Sequence, residues 1–103
     1  MASKTDFHPD ALRELQKLDK TILRRIKKAV KGLEALDDPR QRLIPYTETL
    51  SGFWKLRVGD YRLICELKRD GDGNFVLIIH VAHRSQVYSR RGQRIVERRS
   101  SED

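Results

Sequence analysis

Three cations, Lys55, Arg57 and Arg62, fall where alternation puts them on one side of a β-hairpin. The run Phe53-Trp-Lys-Leu-Arg-Val58 alternates for most of its length, and Gly59-Asp60 reads as a two-residue turn. Tyr61 to Leu67 is the return strand. Glycine at the first turn position favours a type II′ turn, which pairs Val58 with Tyr61. Arg57 then lies opposite Arg62, Leu56 opposite Leu63 and Lys55 opposite Ile64. Like charges directly opposite one another destabilise a hairpin. Glu66 shares their face but lies too far along to neutralise them. A polyanion would do so.

That cluster suits RNA cleavage by in-line attack of a 2′-hydroxyl on the adjacent phosphate. The reaction needs cations on the non-bridging oxygens, a base for the 2′-hydroxyl and an acid for the 5′-oxygen. Arg57, Arg62 and Arg84 stay protonated, so they supply charge but no base. Lys55, Tyr88, His83 and His80 are the candidates for proton transfer. No cluster of Asp and Glu suggests a two-metal nuclease. One Cys and three His are too few for a structural zinc site. Gly71 and Gly73 read as a turn between strands, since no Glu follows at calcium-loop spacing. The sequence thus predicts no metal and no cofactor.

The elements that must position these residues follow from the period of the apolar side chains. Ser3 to Phe7 reads as a possible edge strand. His8-Pro9-Asp10 starts a helix in which Ala11, Leu12, Leu15 and Leu18 recur at helical spacing. Asp19 caps a second helix with the stripe Ile22, Leu23, Ile26, Val30 and Leu33. Arg24, Arg25, Lys27, Lys28 and Lys31 cover its other side, and Asp37-Asp38-Pro39 ends it. Residues 40–52 read as an irregular connection.

After the hairpin, Phe75 to Ala82 is the third strand. An odd loop before it puts Phe75, Leu77 and Ile79 on the core face with Trp54, Leu56, Val58, Tyr61, Leu63 and Cys65, and sets His80 opposite Arg62. An even loop would bury His80, at the expense of desolvating it. Val87 to Arg99 reads as a short basic helix anchored by Ile95 and Val96 and weakened by Gly92. Residues 100–103 should fray. The prediction is a single α+β domain over residues 1–103, with an N-terminal helical hairpin on an antiparallel sheet of three to four strands and a short C-terminal helix.

Composition supports this reading. At 103 residues the chain has room for one core, and 38% hydrophobic with 36% charged residues fits a folded domain with a heavily solvated surface. The net charge of +7 is concentrated late, with six arginines and one acid between Arg84 and Arg99. Such a surface attracts polyanions, with nucleic acid the default. No apolar run suggests a signal or a membrane span, and the lone Cys65 suits a reduced, cytoplasmic compartment.

Three segments carry a family resemblance. Leu50-Ser-Gly-Phe-Trp-Lys-Leu-Arg-Val-Gly-Asp-Tyr-Arg-Leu63 resembles the central hairpin of the RelE/ParE toxin superfamily. Val81-Ala-His-Arg-Ser-Gln-Val-Tyr88 is similar to its closing motif, and His8-Pro-Asp-Ala-Leu-Arg-Glu-Leu-Gln-Lys-Leu18 to its first helix. The RelE-like branch implies a type II toxin that enters the ribosomal A site and cleaves mRNA without metal, in the cytoplasm. It also implies a cognate antitoxin, with which the toxin forms a hetero-oligomer. By this resemblance Arg62 and Arg84 stabilise transition-state charge, Lys55 and Arg57 bind phosphate, and Tyr88 transfers a proton with His83 in reserve. Arg57 stands where the RelE branch often has lysine.

Two rival functions share these features. A ParE-like inhibitor of DNA gyrase needs the same fold but no proton-transfer residue. A noncatalytic RNA-binding module needs only the basic surface. The ordinary roles of single residues are also clear: Tyr88 could simply pack the terminal helix, His80 serve as a strand residue, and Trp54 and Cys65 fill the core.

Overall fold

Local signals at the N-terminus of the chain translate directly into structure. In this computed structural model, which describes residues 4–71 and 73–100, strand β1 (Lys4–Phe7) leads into helix α1 (Pro9–Gln16). Ser3, the predicted start of that strand, lies outside the described residues. The His8 ring caps α1 by accepting the Asp10 N–H at 3.1 Å, and Pro9 loses nothing at a position that has no intrahelical bond to make. Helix α2 (Lys20–Glu34) starts at Asp19, whose carboxylate accepts the Thr21 N–H at 3.3 Å. Ile26, Val30 and Leu33 are buried, and Arg24, Arg25, Lys27, Lys28 and Lys31 are exposed. The helical hairpin is as predicted.

The connection is more ordered than its sequence suggests. Strand β2 (Ile44–Pro45) lies between 3₁₀ turns at Pro39–Gln41 and Glu48–Leu50. Strands β3 (Trp54–Val58), β4 (Tyr61–Asp70) and β5 (Gly73–His83) follow, then helix α3 (Arg90–Ser100). Sheet order is β1-β5-β4-β3-β2, with β1 parallel to β5. The sheet is therefore five-stranded and mixed, where an antiparallel sheet of three to four strands was predicted. Two residues are too few for β2 to show a period, and alternation says nothing of the direction in which β1 pairs. Of the tail predicted to fray, Ser100 closes α3 and residues 101–103 lie outside the described residues.

The hairpin register matches the prediction at every pair, from Val58↔Tyr61 through Arg57↔Arg62 to Lys55↔Ile64. Gly59 has φ of 58°, and among the described residues Glu48 is the one non-glycine with positive φ. Positive φ at the first turn residue alone is the type II′ pattern.

The third strand corrects the sequence reading. Asp70 pairs with Gly73, so two residues separate β4 from β5 and the parity is even. Val76 and Ile78, not Phe75 and Leu77, join the core beneath α1 and α2. A bulge between Ile64 and Cys65 then shifts the register, because Cys65 faces Ile78 while Ile64 faces His80. Consecutive Ile78 and Ile79 are both fully buried, in different clusters. Ala82, not His80, lies opposite Arg62.

The sheet consequently has a core on each side. The larger contains Ala11, Leu15, Ile26, Leu33, Leu56, Leu63 and Cys65. The smaller contains Tyr46, Leu50, Ile64, Ile79, Ala82, Val87 and Val96, beneath α3. Gly92 does more than weaken α3. A Cβ there would collide with the Gln86 carbonyl oxygen and lie 2.8 Å from that of Val87. Glycine is what lets the helix begin so close to the preceding turn, and Ser89 Oγ accepts the Gly92 N–H at 3.0 Å. Among the described residues, no helix is long and apolar enough to cross a membrane.

Candidate active site

Lys55, Arg57 and Arg62 share the α3 side of the sheet, where β3 and β4 extend past the smaller core. Among the described residues, no carboxylate pairs with any of the three. Arg62 is braced by backbone: its Nη1 donates to the carbonyls of Gly59 and Tyr61, each at 2.9 Å. The guanidinium is thereby fixed at the hairpin turn without losing charge. Arg57 is exposed and Lys55 half-buried.

The Lys55 ammonium sits 5.2 Å from the ring centroid of Tyr46, within cation–π range. Tyr46 in turn meets Tyr88 edge to face, with centroids 5.8 Å apart and planes at 83°. Tyr88 is 57% exposed, so its phenol is open to a ligand. Tyr46 is buried, and its hydroxyl has no hydrogen-bond partner among the described residues. Burial, reinforced by Tyr88 and partly opposed by Arg62, pushes that hydroxyl far above the usual phenol range. It therefore stays protonated and cannot serve as a base.

The other predicted residues lie farther afield. Arg84 sits at the hairpin end, where its N–H donates to the Asp60 carbonyl at 2.7 Å and its Nε lies 3.6 Å from the Asp60 carboxylate. Both side chains are exposed, so the pairing is weak and open to displacement by an anion. His83 pairs with Tyr61, whose ring packs on the α1 and α2 side. Its imidazole lies 5.5 Å from the Tyr61 ring, and its Nδ1 accepts the Ser85 N–H at 3.2 Å. The sheet separates His83 from Lys55 and Tyr88. Burial raises the Cys65 thiol well above its ordinary range, which makes it an inert core group.

A second polar cluster lies at the open edge of β5, beyond the end of β1. Glu14 of α1 lies 3.0 Å from His80 Nδ1, accepts the Val81 N–H at 3.1 Å, and accepts from Arg99 of α3 at 2.8 Å. Arg99 also donates to the Ile79 carbonyl at 2.9 Å. Burial opposes ionisation of Glu14. The hydrogen bonds from His80, Arg99 and Val81 together outweigh it and hold the carboxyl down at about 2. These partners also offset the penalty of burying His80, which is 5% exposed.

Tyr46, Glu14 and Arg99 escaped the sequence reading. Glu14 and Arg99 look like ordinary charges on amphipathic helices, and only the tertiary fold brings them together. For Tyr46 there was a signal: an aromatic next to Pro45 in a polar stretch must find cover. Among the described residues, no group of three or more His, Cys, Asp or Glu could hold a metal ion.

The helical hairpin, the mixed sheet and the cationic strand pair place the chain in the RelE/ParE class of folds. The toxin–antitoxin complex RelBE2 from Mycobacterium tuberculosis matches at 29% identity and a TM-score of 0.66, over 82% of this chain and 100% of that one. A mutant of the E. coli toxin RelE, bound to a peptide of the antitoxin RelB, matches at 31% identity and a TM-score of 0.55, over 85% and 92%. The same RelE mutant in the free state covers 95% of this chain and 98% of its own at 24% identity and a TM-score of 0.66, a likeness of fold alone. Curated protein sequences give no match.

Residues 6–88 match the family described as the ParE toxin of the type II toxin–antitoxin system parDE. The chain belongs to that family, and it is a toxin of a type II toxin–antitoxin system.

Proposed function

We propose that this toxin is a ribosome-dependent mRNA endonuclease that works by 2′-hydroxyl attack and needs no metal. One observation carries the reading: three cations with no counter-ion among the described residues share a sheet face with an exposed tyrosine. Phosphate docks on Lys55 and Arg57. The 2′-hydroxyl gives its proton to water or to a group of the ribosome as its oxygen bonds to phosphorus; charge builds on the non-bridging oxygens, and Arg62 stabilises it from its braced position at the turn. Arg84 adds to that field once an anion draws it from Asp60. The bond to the 5′-oxygen breaks, and Tyr88 donates the proton that the leaving group needs. His83, across the sheet, is left out of this scheme. The weakness of any general base in the cluster is a reason for the toxin to depend on the ribosome.

The same reading takes residues 1–103 as one toxin domain acting in the cytoplasm on ribosomes and mRNA, and held inactive in a complex with a cognate antitoxin. The antitoxin-bound relatives support the last point.

The family description favours a second reading, a ParE-like inhibitor of DNA gyrase. The two separate in one experiment. Purified toxin is added to translating ribosomes and mRNA 5′ ends are mapped, with gyrase supercoiling assayed alongside. Codon-phased cuts that fall at least a hundredfold in Arg62→Ala and in Tyr88→Phe support the nuclease. Intact mRNA with blocked supercoiling supports the gyrase inhibitor.

A further inference from the structure

We propose that Tyr46 is a positioning residue, whose ring fixes the Lys55 ammonium and the Tyr88 phenol relative to each other. The proposal rests on the nuclease reading and deepens it.

Tyr46 is itself held firmly. Its N–H donates to the Phe53 carbonyl at 2.9 Å, continuing the pairing of β2 with β3. The residue is 5% exposed and packs among Leu50, Ile64, Ile79 and Val87. The two groups that it touches are far less constrained. Lys55 carries its charge on a flexible four-carbon stem. Tyr88 projects into solvent from the short link between a 3₁₀ turn (Arg84–Gln86) and α3.

Both lean on the same ring, Lys55 over its face and Tyr88 against it at 83°. A cation favours the electron-rich face of an aromatic ring, and ring pairs favour edge-to-face contact. One buried side chain therefore sets the distance between the phosphate-binding cation and the proton donor. Errors of about an ångström in such placement lower rates about a hundredfold.

The hydroxyl of Tyr46 plays no part in this. It is buried, has no partner among the described residues and stays protonated. Desolvating an unpaired hydroxyl is unfavourable, so phenylalanine should hold the fold at least as well. The ring is what the arrangement uses.

The test compares Tyr46→Leu with Tyr46→Phe in ribosome-dependent cleavage, with near-ultraviolet circular dichroism to confirm folding. Leucine should lower kcat tenfold or more and change KM less than threefold. Phenylalanine should restore kcat to within threefold of wild type. Tyr46→Met, a flexible filler of similar reach, replaces the leucine variant if that one does not fold. In a Tyr88→Phe background the leucine change should cost less than it does in wild type, because only the placement of Lys55 is then left to lose. A folded leucine or methionine variant with wild-type kcat overturns the proposal, as does a phenylalanine variant as slow as leucine.

Nuclear magnetic resonance of the free toxin tests the placement without reference to activity. Ring-current shifts of the Lys55 side-chain protons should persist in Tyr46→Phe and collapse in Tyr46→Leu. If wild-type toxin leaves mRNA intact, the nuclease reading fails. The positioning contact then stands or falls on those shifts.

Discussion

Two groups of charged residues flank this sheet, and they are built on opposite terms. At the edge of β5, Glu14, His80 and Arg99 are drawn from α1, the sheet and α3, and they pair with one another and with the backbone, though the buried Arg99 Nε has no hydrogen-bond partner among the described residues. On β3 and β4, Arg57 is exposed and Lys55 and Arg62 are half-buried, with no acid among the described residues to balance them. The first group holds three elements together. The second stores electrostatic repulsion that a polyanion would relieve. Charge that is buried and partnered is structural here, and charge that is left unbalanced marks the site.

The largest way to break this contrast is to remove a member of the buried group. Arg99→Ala removes the cation that pairs with Glu14 and the donor to the Ile79 carbonyl, and should destabilise the fold by about 3–5 kcal/mol in urea denaturation. If the loss is below about 1 kcal/mol, the cluster is not the tie described here.

A somewhat smaller effect should appear on acidification. The Glu14 carboxyl is held at about 2 in the fold, against an ordinary value of 4.5. Its contribution is therefore complete above the unfolded value and drains away as pH falls toward the folded one. Stability should drop by up to about 3 kcal/mol between pH 5 and 2. In Glu14→Gln this part of the pH dependence should vanish.

The smallest effect has the opposite sign. Arg57→Gln removes one of two like charges set directly across the hairpin, and should stabilise the protein by about 0.2–1 kcal/mol at low salt. High salt should erase that gain. Cleavage by the same variant should fall, so that stability and activity move apart. A destabilised Arg57→Gln would mean that the repulsion is not stored there.

How much of this was legible in the sequence depended on how local the signal was. Pro9 and Asp19 announced the helices, and Gly59 with the alternation of Trp54 to Val58 fixed the hairpin register and so the Lys55–Arg57–Arg62 face. These depend on neighbours a few residues away. What lay outside was decided by tertiary structure. The β4–β5 parity turned on a loop length that the sequence left open, and the bulge at Ile64 and Cys65 reversed it again. His80 could be buried only because Glu14 and Arg99, remote in sequence, arrive there. The same remoteness hid the second core, without which Tyr46 and Tyr88 have no reason to meet.

The parallel pairing of β1 with β5 bears on how the molecule assembles. It joins the first strand of the chain to its last, whereas β3, β4 and β5 form a meander of neighbours. Closing the long loop is entropically unfavourable until much of the intervening chain has collapsed. The meander should therefore form early, and β1 with α1 should dock late, carrying Glu14 to its partners. Truncating Leu63 should slow folding, while truncating Phe7 should chiefly hasten unfolding. The cationic hairpin would then be in place before the tie that locks the rest of the fold around it.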